Sequence, residues 1–484
     1  MARSRRDFLL DSMYAATLAA TASGAQAAVQ GGVNPNPLGR KVGPNDQIRV
    51  AVIGVRGRGR DHVGSYARMN DVTVAAICDV DPNVVPGAMK LVTDRGKPQP
   101  KYVPDLRRIL DDKEIDAVSI ATPNHWHALA AIWAMQAGKD VYVEKPVSHN
   151  VLEGRRIVEA ARKYGRVCQA STQIRSMQGS IDAIHYVQSG KLGKVLVARG
   201  LCYKPRASIG KKEAGTQPQG LDYNLWLGPA PMRAFHQNRL HYNWHWMWDT
   251  GNGDLGNQGI HQMDVARWGL QKRGLPKSVI GYGGRLGYED DGETPNSHVA
   301  LFDYGDAELI FETRGLPTKD FKGARIGNVF HGTEGYVVLT GYSAGAAFDL
   351  DGKMVMKFEG GGDHYRNFLD CVRSRRWQEL HGEIEEGHLS SALCHLGNIS
   401  YVLGDQTPLS SMPAAFEGEE AASETFGRFQ QHLAENGVNM QSGMYRLGRK
   451  LKINTRRENF SGDRDANKLL TREYRAPFVV PKEV

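Results

Sequence analysis

The sequence is poor in cysteine and has no long hydrophobic run beyond its first residues. Only five of its 484 residues are cysteine, an odd number, which argues against a disulfide framework or a metal site and predicts buried thiols. Neither charge is concentrated, because the 61 basic and 53 acidic residues are dispersed. No basic run is interleaved with aromatic residues, so the net charge of +8 indicates no nucleic-acid partner.

The first residues have the form of an export signal. Arg5 and Arg6 precede a mildly apolar, Ala-rich stretch at 13–22, and the small residues Ala25 and Ala27 follow it. An amphipathic helix or a membrane anchor is the alternative, but the stretch is too short to cross a bilayer of ~30 Å. We expect a twin-arginine signal at 1–27, transient use of the export machinery, and a periplasmic or otherwise exported protein without a membrane span.

The length of the chain and the changing order of its predicted strands and helices predict two main domains. After a Gly- and Pro-rich linker at 28–45, strands alternate with helices over 46–172, which predicts an α/β fold with a doubly wound parallel sheet of the Rossmann type. Over 173–405 several strands follow without helices between them, which predicts an α+β domain with a largely antiparallel open sheet. Residues 406–484 are expected to be an extension that wraps the surface.

A glycine turn near the start of the first domain predicts a dinucleotide site. A β-branched strand at 48–53 leads into Gly54, a helix follows Gly59, and a second strand ends at Asp79, about 20 residues beyond the turn. Such glycines let a pyrophosphate approach the helix N-terminus, and the acid can accept from ribose hydroxyls. Arg56 stands where a glycine is expected, with Gly57 one place late. A plain turn, with Asp79 as a turn starter, is the alternative.

Two later strands of the first domain also end in polar residues. One ends before Thr122, Pro123 and Asn124, and the next ends before Glu144 and Lys145. Because ligands of such sheets bind at the carboxyl ends of the strands, these residues should converge on one crevice. Loss of hydration at a strand end would lower the pKa of Lys145 toward a range useful for proton transfer. The alternative is a solvated lysine in a turn.

These motifs resemble those of the Gfo/Idh/MocA family, the glucose–fructose oxidoreductase and inositol dehydrogenase group. The resemblance covers about 48–403 and rests on the glycine turn, Thr122-Pro123-Asn124 with His127, Glu144-Lys145-Pro146, and Gly259-Ile260-His261 with Asp264. It implies oxidation or reduction of sugars or cyclitols with a tightly held nicotinamide cofactor, and Lys145 as the proton acceptor. The residues expected to bind the cofactor are Gly54, Arg56, Gly57, Arg58, Gly59, Asp79, Thr122, Pro123, Asn124, His127, Glu144 and Lys145.

The second domain supplies candidates for catalysis and substrate binding. Asn257 and His261 are four residues apart on a helix expected from about Gly256, so they should share a face. His261 could shuttle a proton or hold a substrate hydroxyl, or be a core histidine. The resemblance implies an aspartate where Asn257 stands, which leaves the proton path open. Asp264 could substitute or pair with Arg267, and Asp264 and Arg175 are candidates for the substrate.

The segment 241–249 is rich in aromatic residues. In an extended conformation Trp244, Trp246 and Trp248 would lie on one face and could stack on a pyranose ring; a domain interface is the equal alternative. His125 and His127 could suggest a metal with His241 or His245. Because no carboxylate or thiolate stands at metal spacing beside them, we expect no metal.

Three functions remain open. The leading one is an exported, homo-oligomeric NAD-dependent sugar or cyclitol oxidoreductase, with NADP as the alternative because Arg56, Arg58 and Arg60 could hold a phosphate. The second is an NAD-dependent glycosidase that oxidises, eliminates, hydrates and re-reduces; the resemblance associates that branch with loss of the Glu-Lys-Pro lysine, which is present here. The third is a sugar-binding protein that keeps an inactive nucleotide pocket.

Overall fold

The computed structural model describes residues 42–43 and 46–484. The predicted signal and nearly all of the predicted linker therefore lie outside the described residues. All five cysteines lie within them and are buried free thiols, which confirms that part of the prediction. The helices of the described chain include none with the length and apolar character that a membrane crossing requires.

The first domain is a parallel six-stranded sheet with helices on both faces, as predicted. Its strand order is β3-β2-β1-β4-β5-β6, the order of a doubly wound nucleotide-binding sheet. Every strand pair is parallel, so the carboxyl ends of all strands meet at one edge. The strands are β1 Ile48–Ile53, β2 Val72–Cys78, β3 Lys101–Val103, β4 Ala117–Ile120, β5 Asp140–Val143 and β6 Cys168–Ala170. The helices are α1 Arg58–Ala67, α2 Val85–Thr93, α3 Leu106–Asp111, α4 Asn124–Gln136 and α5 Val151–Lys163.

The second domain is built on a larger sheet that is antiparallel except where β7 pairs with β10. Its main strand order is β14-β13-β12-β11-β7-β10-β9-β8-β16-β15, with β17 also paired to β8. The strands are β7 Val195–Cys202, β8 Ser278–Gly284, β9 Ser297–Asp303, β10 Glu308–Arg314, β11 Ile326–Gly332, β12 Tyr336–Leu339, β13 Ala344–Phe348, β14 Met354–Glu359, β15 Asp405–Pro408, β16 Met444–Leu447, β17 Leu451–Asn454 and β18 Asn459–Phe460. The prediction of a largely antiparallel second sheet is confirmed.

Helices join the two domains and cover the second sheet. They are α6 Gln178–Gln188, α7 Tyr223–Leu227, α8 Ile260–Gly269, α9 His364–Ser374, α10 Ile384–Val402, α11 Glu420–Glu435 and α12 Arg464–Lys468. Helices α8 and α10 pack on one face of the sheet, where Met263 and Leu393 share a core with Phe302. Helix α9 instead returns to the first domain, and its Phe368 lies in the core beside β1. The two domains are thus tied together by shared cores.

Residues 406–484 differ from the surface wrap expected of them. Strands β15, β16 and β17 extend the second sheet, and α11 covers its other face with Phe426 and Phe429 against Tyr282. Phe478, close to the C-terminus, enters the core of the first domain. The polar composition concealed this role, because the large apolar residues of α11 are few and lie on its buried side.

Buried histidines predict that the fold loses stability in mild acid. His125, His298 and His395 are almost fully buried, and burial lowers the pKa of each to about 3. Below the unfolded value of 6.5 the unfolded chain therefore binds protons that the folded chain does not. Each such histidine weakens stability by up to about 1.4 kcal/mol per pH unit as the pH falls from 6.5 toward 3.

Two buried carboxyls, Asp79 and Glu153, have raised pKa values and act in the opposite sense, but the histidines outnumber them. We expect the free energy of unfolding, measured by denaturant titration, to fall steadily from pH 7 to pH 5. A His298→Gln variant should show a shallower slope than the wild type. An unfolding free energy that is flat over this range would contradict the prediction.

Candidate active site

A cavity of about 520 Å³ lies at the carboxyl edge of the parallel sheet, between the two domains. The predicted residues that line it are Gly54, Arg56, Gly57, Arg58, Asp79, Thr122, Pro123, Asn124, Glu144, Lys145, His127, Asn257, His261 and Trp244. The residues that follow β1, β2, β4 and β5 do converge, because parallel strands end at the same edge.

The glycine turn forms one wall of the cavity. Gly54 has a φ of 83°, which favours glycine, and Gly57 stands at the start of α1 with no side chain among the described residues capping it. A Cβ on Gly59 would lie 1.7 Å from the carbonyl oxygen of Gly54, so only glycine lets the helix start this close to the strand end. The uncapped N–H groups of α1 fit a pyrophosphate.

Asp79 braces this turn as well as facing the cavity. One carboxylate oxygen accepts from the Val55 N–H at 2.7 Å and the other from the Asp81 N–H at 3.0 Å. Burial raises the pKa of Asp79 to about 6, against the lowering effect of the hydrogen bond from Val55. Each oxygen keeps a further lone pair, so the residue can still accept from ribose hydroxyls as predicted.

At the end of the cavity formed by the glycine turn and Asp79, the opposite wall comes from the second domain. A segment that we name the crossing arm, residues 204–250, includes helix α7 and reaches back over the first domain. Leu221, Leu225 and Trp226 line the cavity, and the Asp222 N–H donates to the Val80 carbonyl at 3.1 Å. This apolar wall faces Leu106 and fits the adenine ring of a dinucleotide. Sequence reasoning missed it because these residues lie more than 160 positions after the glycine turn.

Lys145 lies at the opposite end of the cavity. Its Nζ donates to the Asn257 carbonyl at 2.5 Å, and its side chain is partly buried. Burial lowers the pKa of Lys145, although the charge of Glu144 acts in the opposite direction. The lysine therefore gives up its proton more easily than a solvated one, which is the property that proton transfer near neutral pH requires.

Glu144 forms a buried hub directly beside Lys145. Its Oε1 accepts from Arg58 at 2.9 Å, from His62 at 3.0 Å and from Ser171 at 2.7 Å. Burial would raise the pKa of Glu144, but His62, Arg58 and Lys145 outweigh it and hold the pKa well below its usual range. The predicted cofactor residues Arg58 and Glu144 are therefore an ion pair at the reacting end.

His62 is a residue of this hub that sequence reasoning missed. It is fully buried, and its other ring nitrogen lies 2.9 Å from the Ser119 hydroxyl, which also accepts from Tyr66. Burial lowers the pKa of His62, so the ring is neutral. Its position four residues after Arg58 on α1 was the available signal, because that spacing puts both side chains on one helix face.

His261 faces Lys145 from the second domain, as predicted. The ring is 2% exposed, and its Nδ1 has no hydrogen-bond partner among the described residues. Burial, together with the charge of Lys145, lowers the pKa of His261 well below its usual range, so the ring is neutral. Tyr342 packs against it with ring centroids 5.1 Å apart. The residue lines the cavity, so its imidazole is placed to meet a ligand hydroxyl.

A second carboxylate near Lys145, besides that of Glu144, comes from Asp254 rather than from position 257. Asp254 is 2% exposed, is held by Arg206 through bonds of 2.6 and 2.9 Å, and lies 3.3 Å from the Asn257 amide nitrogen. Asn257 lies in a π-helical turn, Leu255–Gly259, and α8 begins only at Ile260. The helix expected from about Gly256 is therefore a π-turn followed by an α-helix, a feature often found at functional sites.

Arg175 and Asp264 do not face the cavity, which corrects their assignment to the substrate. Arg175 donates to Asp264 at 2.7 and 2.8 Å and to Glu386 at 3.0 Å, and the carboxylate of Asp264 is 1% exposed. Arg267 also bonds Glu386. The network ties α8 to α10, so its charges are compensated inside the fold and unavailable to a ligand.

The aromatic segment is not extended, so the predicted tryptophan platform is wrong. Residues Asn243–Trp246 form a 3₁₀ turn, which sends successive side chains in different directions. Trp244 lines the cavity and stacks on His245 at 3.5 Å, whereas Trp246 is buried and Trp248 does not line the cavity. Only one of the three can face a substrate.

The remaining predicted residues hold the strand ends in place. The ring nitrogens of His127 lie 2.6 and 2.7 Å from the carbonyls of Pro146 and Thr122, so the ring connects the two turns. Asn124 donates to Asn252 at 3.0 Å across the domain boundary. Among the described residues, no three histidine, cysteine, aspartate or glutamate side chains are grouped so as to hold a metal ion.

Comparison with known families agrees with this architecture. Residues 48–172 match the NAD-binding Rossmann domain of the Gfo/Idh/MocA oxidoreductase family, and residues 184–433 match the C-terminal alpha/beta domain of the same family. The chain belongs to the Gfo/Idh/MocA oxidoreductase family, and its cofactor is NAD. The glycine turn, the uncapped start of α1 and Asp79 are the groups that would hold it.

Curated relatives share a shorter stretch. A glycosyl hydrolase family 109 protein of Shewanella pealeana is 32% identical over 166 residues, 34% of this chain and 36% of the relative. One of Saccharopolyspora erythraea is 31% identical over 184 residues, 37% of this chain and 40% of the relative. The chain spans less than half the length of these relatives.

Solved structures share the fold. The WlbA dehydrogenase from Bordetella pertussis, in complex with NADH and UDP-GlcNAcA, is 20% identical with a TM-score of 0.53, covering 72% of this chain and 96% of that one. An oxidoreductase from Thermotoga maritima is 14% identical with a TM-score of 0.54, covering 73% and 96%.

Proposed function

We propose that the protein is an exported oxidoreductase that moves a hydride between NAD and a carbon–hydroxyl group of a sugar or cyclitol. The observation that carries the proposal is Lys145, a partly buried lysine of lowered pKa at the end of β5, facing the unpaired ring of His261. As a neutral amine, Lys145 accepts the proton of the substrate hydroxyl while the hydride leaves the same carbon. The bound NAD supplies the hydride acceptor.

The surroundings of Lys145 assign roles to its neighbours. His261, whose imidazole lines the cavity, holds the reacting or an adjacent hydroxyl. Glu144 stays ionised through His62 and Arg58, which fixes a negative charge beside the lysine when it becomes an ammonium. Asp254 adds a second fixed negative charge nearby, held in place by Arg206. The site therefore stabilises the charge that appears on Lys145 during the transfer.

The same geometry supports a cofactor that stays bound between turnovers. The crossing arm covers the adenosine end, and the C-terminal residues fasten it. Arg475 donates to the side chain and carbonyl of Asn224 at 2.6 and 2.8 Å, while Phe478 packs on Trp126. Trp126 in turn donates to the Leu225 carbonyl at 3.0 Å. Release of a dinucleotide would require these contacts to open. The carboxylate of Asp79 favours NAD over NADP, because it would repel a 2′-phosphate.

A second candidate is an NAD-dependent glycosidase without net redox change. It is supported by the family 109 glycosyl hydrolases among the relatives. The two candidates share the first oxidation and differ in the product, so product analysis separates them.

The test begins with the nucleotide that purified protein releases on denaturation, identified by mass spectrometry. The protein is then incubated with free sugars and cyclitols and with aryl glycosides. We expect NAD in the release and a keto-sugar as product, with reduced cofactor visible in a single turnover. Release of the aryl alcohol from a glycoside would favour the second candidate. Reaction with neither class of substrate would refute both.

A further inference from the structure

Tyr242 is a residue of the crossing arm at the reacting end of the cavity. Its side chain lines the cavity and is 44% exposed. The backbone there is unusual, because both His241 and Tyr242 have positive φ angles, of 49° and 87°. Such conformations cost roughly 1–3 kcal/mol each in non-glycine residues and are found mostly where function requires them.

The phenolic oxygen of Tyr242 is held by two donors. Arg206 donates to it at 3.0 Å, and the amide of Asn257 donates to it at 3.1 Å. Arg206 is itself fixed by two bonds to Asp254, so the phenol is placed by a rigid group. A hydroxyl has two acceptor lone pairs and one proton. These two contacts occupy the lone pairs and leave the phenolic proton to be donated elsewhere.

Asn257 links this phenol to the lysine. Its backbone carbonyl accepts from Lys145 Nζ at 2.5 Å, while its side-chain amide donates to the Tyr242 hydroxyl. One residue therefore positions the proton acceptor and the phenol on the same side of the cavity. The ring of Tyr242 is further packed against His245, with centroids 4.5 Å apart.

We propose that Tyr242 is a substrate-binding residue that donates its phenolic hydrogen bond to a substrate oxygen beside the reacting carbon. No bond is broken at Tyr242; its part is to fix which hydroxyl faces Lys145. The inference rests on the proposed function, because it needs a substrate with a second oxygen next to the reacting one. The proposal implies that the protein recognises a vicinal diol, and it accounts for the strained backbone at His241 and Tyr242.

The test compares Tyr242→Phe with Tyr288→Phe. Phenylalanine at 242 keeps the ring and removes only the hydroxyl. Tyr288 is the matched control, because its phenol donates to the Arg206 carbonyl at 3.2 Å but it does not line the cavity. The substrates are myo-inositol and D-glucose with their monodeoxy analogues, and the readout is reduction of bound NAD.

We expect Tyr242→Phe to lower kcat/KM about tenfold on the parent polyol, in line with loss of one hydrogen bond to substrate. The wild type should discriminate against several monodeoxy analogues, and Tyr242→Phe should lose the discrimination against one of them while keeping it against the others. Tyr288→Phe should match the wild type throughout. Cofactor content should be equal in all three proteins.

The outcomes separate the two proposals. If none of the substrates leads the wild type to reduce its bound NAD, the proposed function fails and this inference fails with it. If the wild type reacts and Tyr242→Phe is equally active on every substrate, only the role of Tyr242 is overturned. A uniform loss on all analogues would also overturn it, because that result indicates that the phenol merely supports Arg206 and Asn257.

Discussion

Lys145→Ala should lower the rate of NAD reduction by a factor of about 10² to 10⁴, the usual contribution of a positioned general base. The lysine accepts a proton at the reacting end, while the glycine turn, Asp79 and the crossing arm hold the far end of the cofactor. Nucleotide binding should therefore change little. The measurement is single-turnover absorbance of bound nucleotide with a panel of sugars and cyclitols, alongside titration of apo protein with NAD.

Two further variants make this experiment specific. Lys145→Met keeps the length of the side chain and loses the amine, so it should be as inactive as alanine even though it fills the space. His261→Ala should lose somewhat less activity, because it holds the substrate and does not accept the proton. A Lys145→Ala protein that reduces its NAD at the wild-type rate would remove the proposed mechanism.

Gly59→Ala should abolish tight NAD binding. The added Cβ would lie 1.7 Å from the carbonyl oxygen of Gly54 and 2.8 Å from its carbon, and a backbone atom cannot rotate away. The strand end and α1 would have to separate, which would displace the N–H groups that face the pyrophosphate. We expect the dissociation constant for NAD to rise at least a hundredfold, with a lower melting temperature because α1 also packs on the core.

Gly64→Ala is the matched control for this change. It lies on the same helix, and its added Cβ would meet only the end of the Arg68 side chain, at 4.0 Å. We expect NAD binding equal to that of the wild type and equal or slightly higher stability, because alanine favours helix. Should Gly59→Ala bind NAD as tightly as Gly64→Ala, the assignment of the turn to the pyrophosphate would be wrong.

The acid sensitivity of the fold has a consequence for both experiments. Because buried neutral histidines destabilise the fold below about pH 6.5, variants of lowered stability should be assayed at neutral pH or above. A higher pH also leaves more of the Lys145 amine neutral, and burial lowers the pKa of this amine, so neutral to basic pH favours both the fold and the proton acceptor.

The sequence by itself determined the parallel sheet, the glycine turn and the position of Lys145. These features depend on short-range patterns: β-branched runs, the spacing of glycines, and a polar residue directly after a strand. A parallel sheet then brings strand ends together without further information, so most cavity residues of the first domain could be predicted. The free cysteines followed from composition in the same way.

Only the tertiary structure decided which polar groups are free to act. Arg175 and Asp264 had suitable chemistry, yet they neutralise each other inside the fold. Asp254 already supplies a carboxylate near Lys145. A carboxylate introduced at position 257 would therefore lie beside Asp254 and would not restore a missing charge. That difference is invisible to sequence reasoning, which shows only that Asn257 stands where the resemblance implies an aspartate.

The tertiary structure alone also decided which residues contact Glu144 and Lys145 at the reacting end of the cavity. His62 lies 82 residues before Glu144, and Asn257 lies 112 residues after Lys145, whose amine it contacts. A local pattern records the helix or turn of each residue, but it does not record which distant residue packs against it. Pairing across the domain boundary depends on the burial of two cores and on the satisfaction of charges within them, and both become defined only when the chain has folded.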